Sequence, residues 1–179
     1  MEEKSTKKNI IKAILEWCSI IAIALIIACL INKFVIFKVR IPSESMVPTL
    51  NVGDQLYVSR MYNTQSLKRG DIVVFNFKPK NEIFIKRLIG LPGDNVTIKS
   101  GIVYINGDKL EEDYVKNPES TDGVYNVPEG KYFFLGDNRA ISDDARKWQN
   151  EYGITYIDEE DIQGKALIKV WPLKDITIY

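Results

Sequence analysis

Between Ala13 and Ile31 the chain runs for nineteen residues with a single charge, Glu16, and is otherwise almost wholly aliphatic. Such a run is apolar all round, so it lacks the polar face of a helix lying on a soluble domain, and it constrains the fold before any motif does. At about 1.5 Å per residue a helix of that length reaches roughly 28 Å, close to the hydrocarbon thickness of a bilayer. The reading is one transmembrane anchor over 13–31, with Glu16 and Trp17 near an interface. A cleaved secretory signal is one alternative, although its apolar stretch is usually shorter and ends in small residues. A lipoprotein signal ending at Cys29 is another, but Leu30, Ile31 and Phe34–Phe37 follow where a polar tether would be expected. Lys4, Lys7, Lys8 and Lys12 precede the run and Lys33, Lys38 and Arg40 follow it, a bias that puts the amino end inside. The expected organisation is a cytoplasmic segment 1–12, the anchor 13–31 and an extracytoplasmic domain 32–179, with Phe34–Phe37 dipping into the interface.

Composition excludes several chemistries. Hydrophobic residues at 45% and charged residues at 27% fit a globular domain. From residue 33 onward 20 basic side chains face 21 acidic ones, so nothing recruits a polyanion and no nucleic-acid partner is expected. Histidine is absent, which rules out a Ser-His-Asp or Cys-His arrangement and a His-ligated zinc site. Cys18 and Cys29 both lie in the apolar run, so neither a disulfide framework nor a thiolate metal site is indicated beyond it. No metal or cofactor is expected.

Past the anchor the period changes to two. Runs at 55–59, 71–77, 83–89, 95–99, 102–105, 131–135 and 165–171 are short, rich in β-branched and aromatic residues, and bounded by turn residues. Asn106-Gly107 between strand-like runs is the strongest hairpin signal. Gly-Asp recurs at 53–54, 70–71, 93–94, 107–108 and 136–137 and reads as turn punctuation. A short helix is expected over 143–152 and a mobile acidic excursion over 111–129. The fold class is therefore mainly β: one transmembrane helix, then a barrel-like, mostly antiparallel β domain.

Chemistry concentrates at Ile41 to Leu50, where Pro42 and Pro48 bracket Ser43, Ser45 and Met46 just past the anchor. Such a segment is either an ordinary proline-braced turn or a stiff loop presenting a nucleophile. Without histidine, a serine needs a lysine or a carboxylate to take its proton. A lysine near its ordinary pKa of about 10.4 is neutral in far fewer than one molecule in a hundred at pH 7, so the useful lysine sits among apolar groups. Lys86 is such a residue, within Ile83-Phe84-Ile85-Lys86-Arg87-Leu88-Ile89. Alternation groups it with Phe84 and Leu88, and Arg87 with Ile85 and Ile89. It reads equally as a strand lysine whose stem packs while its ammonium reaches solvent.

Four blocks in order resemble the type I signal peptidases, membrane-bound Ser-Lys proteases: Pro42-Ser43-Glu44-Ser45-Met46-Val47-Pro48-Thr49-Leu50, Arg69-Gly70-Asp71-Ile72-Val73-Val74-Phe75, Lys86 to Asp94, and Gly136-Asp137-Asn138-Arg139 through Arg146. Gly164-Lys165-Ala166 with Trp171-Pro172 is a looser fifth. The resemblance implies Ser45 as nucleophile and Lys86 as general base. Ser43 then matches the hydroxyl that shares the oxyanion with the Ser45 N–H, and Ser142 the serine that orients the lysine amine. Asp144 and Arg146 match a supporting pair, and Ile41 and Ile85 match residues lining small substrate pockets. The chain departs from the family at Ala145, where serine is usual, and at Ile141, where asparagine is common. Implied partners are the lipid bilayer and the signal peptides of secretory preproteins. A non-catalytic anchored module that binds export substrates is the rival reading, and a self-cleaving Ser-Lys protease a third.

Overall fold

The apolar run is helical. α1 spans Glu2–Phe34 in a computed structural model that describes residues 2–60 and 63–179. Its Ile14–Ile31 stretch has a mean hydropathy of 2.7 with none of it buried, and is long and apolar enough to cross a membrane. The helix runs past the expected end at Ile31, and strand begins at Ile36, so the Phe34–Phe37 segment is divided between the two. The chain divides after Phe37 into two compact units.

The second unit is built from strands. They are β1 (Ile36–Arg40, which begins in the first unit), β2 (Gln55–Arg60), β3 (Ile72–Phe77), β4 (Glu82–Gly90), β5 (Asn95–Lys99), β6 (Ile102–Ile105), β7 (Asp108–Lys109), β8 (Gly123–Asn126) and β9 (Lys131–Leu135). After helix α2 (Ala145–Tyr152) come β10 (Ile157–Asp158), β11 (Ile162–Trp171) and β12 (Thr177–Ile178). All seven expected runs fall on strands. The other five are two to five residues long; β7 closes the expected hairpin, and β10 and β12 are too short for a period of two to stand out.

One eight-stranded sheet has the order β1-β2-β11-β3-β4-β9-β10 with β12 beside β11; a four-stranded sheet has the order β7-β6-β5-β8. The pairings from β2 onward are antiparallel. The large sheet ends at β1 and β10 and stays open, so it is barrel-like without closing. Register shifts along β11 and between Leu88 and Gly90 of β4 supply the bending such a sheet needs. The Asn106-Gly107 hairpin forms as expected, with both residues at positive φ and Ile105 facing Asp108.

The core is aromatic. Phe75 stacks on Phe134 and Phe77 on Phe84, both at 4.6 Å between ring centroids, and Trp148 of α2 lies 4.7 Å from Phe77. This packing sets α2 against β3, close to the strand that carries Lys86. The helix starts two residues later than expected because Asp144 caps it, accepting from the Arg146 N–H, and Gly153 ends it at a φ of 73°. The stretch 111–129 differs from the expected mobile excursion. Glu112 meets Arg139 at 2.5 Å, Glu119 meets Arg146 at 2.8 Å, and Gly123–Asn126 pairs with β5, so buried guanidinium groups dock it.

Candidate active site

The serine loop is held from both sides. Met46 and Leu50 are fully buried, and Leu50 donates its N–H to the Met46 carbonyl at 2.9 Å. From the other side Asn138 reaches across, its N–H donating to the Ser45 carbonyl at 3.0 Å and its Nδ2 to the Glu44 carbonyl at 3.2 Å. The backbone on either side of the Ser45 hydroxyl is thereby fixed, which a loop of this length could not achieve alone.

Lys86 meets that hydroxyl from β4. Its Nζ lies 2.8 Å from Ser45 Oγ and 5.1 Å from the centroid of the Phe84 ring, with 4% of the residue exposed. Burial pushes the amine down from the ordinary 10.5 to about 8; Asp144, Asp143 and Asp137 oppose the drop and Lys80 adds to it. Near pH 7 roughly one molecule in ten then carries a neutral amine. A neutral amine touching a serine hydroxyl can take its proton as the oxygen attacks a carbonyl.

The other predicted residues divide. Ser43 Oγ lies 3.4 Å from Ser45 Oγ, and among the described residues the Ser45 N–H meets no acceptor. Asp144 and Arg146 form a buried fork, not a surface pair: Nε to Oδ1 at 2.8 Å and Nη2 to Oδ2 at 2.9 Å, with the Gly136 N–H also donating to Oδ2. Ser142 is fully buried, and its hydroxyl has no hydrogen-bond partner among the described residues.

Ile85 lines a groove of about 290 Å³ together with Lys86, residues 42–45, 82–84, Ile141 and Asp143. Alternation had placed Ile85 opposite Lys86. Both reach the groove because β4 pairs with β9 only from Arg87 onward, so residues 82–86 form a strand edge on that side. Ile41 stands apart from this lining. Its N–H donates to the Asp54 carbonyl and its carbonyl accepts from Gly53, which turns the side chain inward.

Several supporting residues went unassigned in the sequence. Arg87 clasps fully buried Asp137 with Nε to Oδ1 at 2.8 Å and Nη2 to Oδ2 at 2.6 Å, and Thr49 donates to Asp137 at 2.5 Å. This fork ties the serine loop to β4. Gly136 had been read as one more Gly-Asp turn. The other four such glycines do have positive φ, between 83° and 96°, but Gly136 does not. A Cβ there would lie 2.2 Å from Ser142 Oγ and 2.5 Å from the Ser45 carbonyl, so its role is close approach.

The fold and groove define a β-domain with a serine and a buried lysine in contact, preceded by an apolar helix. A family model described as signal peptidase, peptidase S26, matches residues 14–171. A signal peptidase I of Bacillus licheniformis is 38% identical over 187 residues, covering 98% of this chain and 97% of the relative. A signal peptidase IB of Staphylococcus aureus strain COL is 37% identical over 184 residues, covering 92% and 93%. The crystal structure of a signal peptidase I from Enterococcus faecalis V583 covers 56% of this chain and 96% of its own at 35% identity, with a TM-score of 0.47. The chain belongs to the S26 signal peptidase family.

Proposed function

We propose that this protein is a membrane-anchored endopeptidase that removes N-terminal signal peptides from exported preproteins, with Ser45 as nucleophile and Lys86 as general base. The observation that carries the assignment is the 2.8 Å contact between Lys86 Nζ and Ser45 Oγ in a site where burial lowers the amine to about 8. An extended substrate adds to the open edge of β4 at residues 82–86, with Ile85 lining the pocket that selects small side chains before the scissile bond and Ile41 packed behind it. Neutral Lys86 accepts the Ser45 proton as Oγ bonds to the carbonyl carbon. The Ser45 N–H and a rotated Ser43 hydroxyl donate to the oxyanion. As the peptide C–N bond breaks, Lys86 gives its proton to the leaving amine, and water then hydrolyses the acyl-enzyme. A rotated Ser142 hydroxyl, unpartnered among the described residues, steadies the amine during turnover, and Asp144 with Arg146 holds the backbone beneath it.

The anchor is assigned to 13–31, with 1–12 cytoplasmic and the catalytic domain 32–179 outside; the apolar Ile14–Ile31 helix supports it. The test is full-length protein in detergent or liposomes with a preprotein substrate. Ser45→Ala and Lys86→Ala abolish cleavage while each variant melts cooperatively; full turnover by either overturns the assignment. Protease added outside intact cells digests the domain and spares the amino end, and the reverse pattern inverts the orientation.

A further inference from the structure

Three carboxylates, Asp144, Asp143 and Asp137, favour the charged form of Lys86, and each is matched by its own cation. Asp144 holds Arg146 at 2.8 Å, Asp137 holds Arg87 at 2.6 Å, and Asp143 holds Lys80 at 2.6 Å. The first two pairs use guanidinium groups that stay charged at any working pH. The third stands differently. Asp143 lines the groove beside Lys86, its Oδ1 accepting from the Trp148 indole N–H at 2.8 Å and its Oδ2 from the Tyr152 hydroxyl at 3.4 Å. Those bonds fix the carboxylate whether or not Lys80 is present. Lys80 and Lys86 lie within cation–π range of one ring, 5.7 Å and 5.1 Å from the Phe84 centroid. Glu44 and Glu82 also line the groove, but both are exposed, so water screens them.

We propose that Lys80 is a positioning residue of this active site: it neutralises Asp143 at the groove wall, so that the carboxylate does not hold Lys86 in its protonated, inactive form. The inference rests on the Ser45–Lys86 assignment above. Lys80 is itself held above the ordinary lysine range by its bonds to Asp143 and Tyr152, so it stays charged where Lys86 titrates. Without it, a lone negative charge would favour the Lys86 ammonium. A substrate strand lying over the groove would strengthen that effect by excluding water.

The experiment is the pH profile of kcat/KM for full-length protein on a signal-peptide substrate. Lys80→Met moves the acid limb up by about half a unit to one unit. Activity at pH 7 then falls about three- to tenfold and recovers at high pH, where Lys86 is neutral in either protein. Asp143→Asn, which keeps the acceptor for Trp148, moves the limb the other way. The double variant returns it near the wild-type position, and Lys80→Arg keeps it there. A limb unmoved by Lys80→Met, or a loss of rate equal at every pH, overturns the proposal. A wild-type profile with no acid limb, or an active Lys86→Ala, removes the lysine base itself, and the proposal falls with it by a result that does not involve Lys80.

Discussion

Two lysines in the large sheet are buried to almost the same depth, and they are equipped for opposite purposes. Lys169 on β11 is 3% exposed and Lys86 on β4 is 4% exposed. Lys169 meets Asp175 at 2.6 Å and Asp54 at 3.6 Å. Lys86 meets a hydroxyl and the face of a ring, and among the described residues no carboxylate lies within ion-pair distance of it. One amine is a strut that fastens the chain after β11 to the turn before β2. The other is left under-solvated, and that is what the proposed role as a base requires. Depth alone does not make a lysine reactive; the neighbours at that depth decide.

Exchanging each lysine for methionine separates the two roles most sharply. Lys86→Met is expected to lower cleavage by about a hundred- to ten-thousandfold, the range of a lost general base, as read in a preprotein assay. Lys169→Met leaves buried Asp54 without its cation. Because Asp175 is half exposed, the expected cost is about 2–4 kcal/mol in denaturant unfolding, with the pH profile of cleavage unchanged in shape. Should Lys169→Met shift that profile as strongly as a change at the groove, the contrast between strut and base is wrong.

The same contrast predicts an opposite sign for stability at Lys86. Its folded-state value of about 8 lies below the ordinary 10.5, so between those values the unfolded chain holds the proton and the folded chain does not. Stability relative to Lys86→Met therefore rises with pH across that window. Below pH 8 the wild type carries the full burden, and Lys86→Met is expected to be the more stable by up to about 3 kcal/mol. A flat difference in melting behaviour from pH 7 to 10 would show that the amine is not desolvated in solution.

A smaller effect is expected at Ser142, whose buried hydroxyl has no partner among the described residues. Ser142→Ala should leave stability unchanged or raise it by about 1 kcal/mol, since an unsatisfied polar group is removed. If the hydroxyl steadies the Lys86 amine during turnover, kcat nevertheless drops. Unaltered kcat would restrict Ser142 to packing beside Gly136.

Much of this was legible along the chain. The anchor announced itself by length and by apolarity on every face, and seven strands by their period of two. Ser45 and Lys86 stood out because histidine is absent and one lysine sits in an aliphatic run. The pairs that surround the dyad were hidden for a common reason. Arg87 and Asp137 are 50 residues apart, and Lys80 and Asp143 are 63 apart. No local pattern marks either partner. Gly136 looked like its four Gly-Asp counterparts, since a turn and a close approach use the same residue. The acidic 111–129 stretch looked unattached because the guanidinium groups that dock it lie on later segments.

Sequence alone settled what depends on nearest neighbours: helix by the length of an apolar run, strands by alternation, and the exclusion of histidine chemistry by a missing letter. Tertiary structure decided the proton affinity of one amine and the opening beside it. The first depends on how much water the surrounding chain removes and which charges it leaves unmatched. The second depends on β9 meeting β4 only beyond Lys86. Neither is a property of any stretch of sequence, because solvation and strand pairing exist only once distant segments have come together.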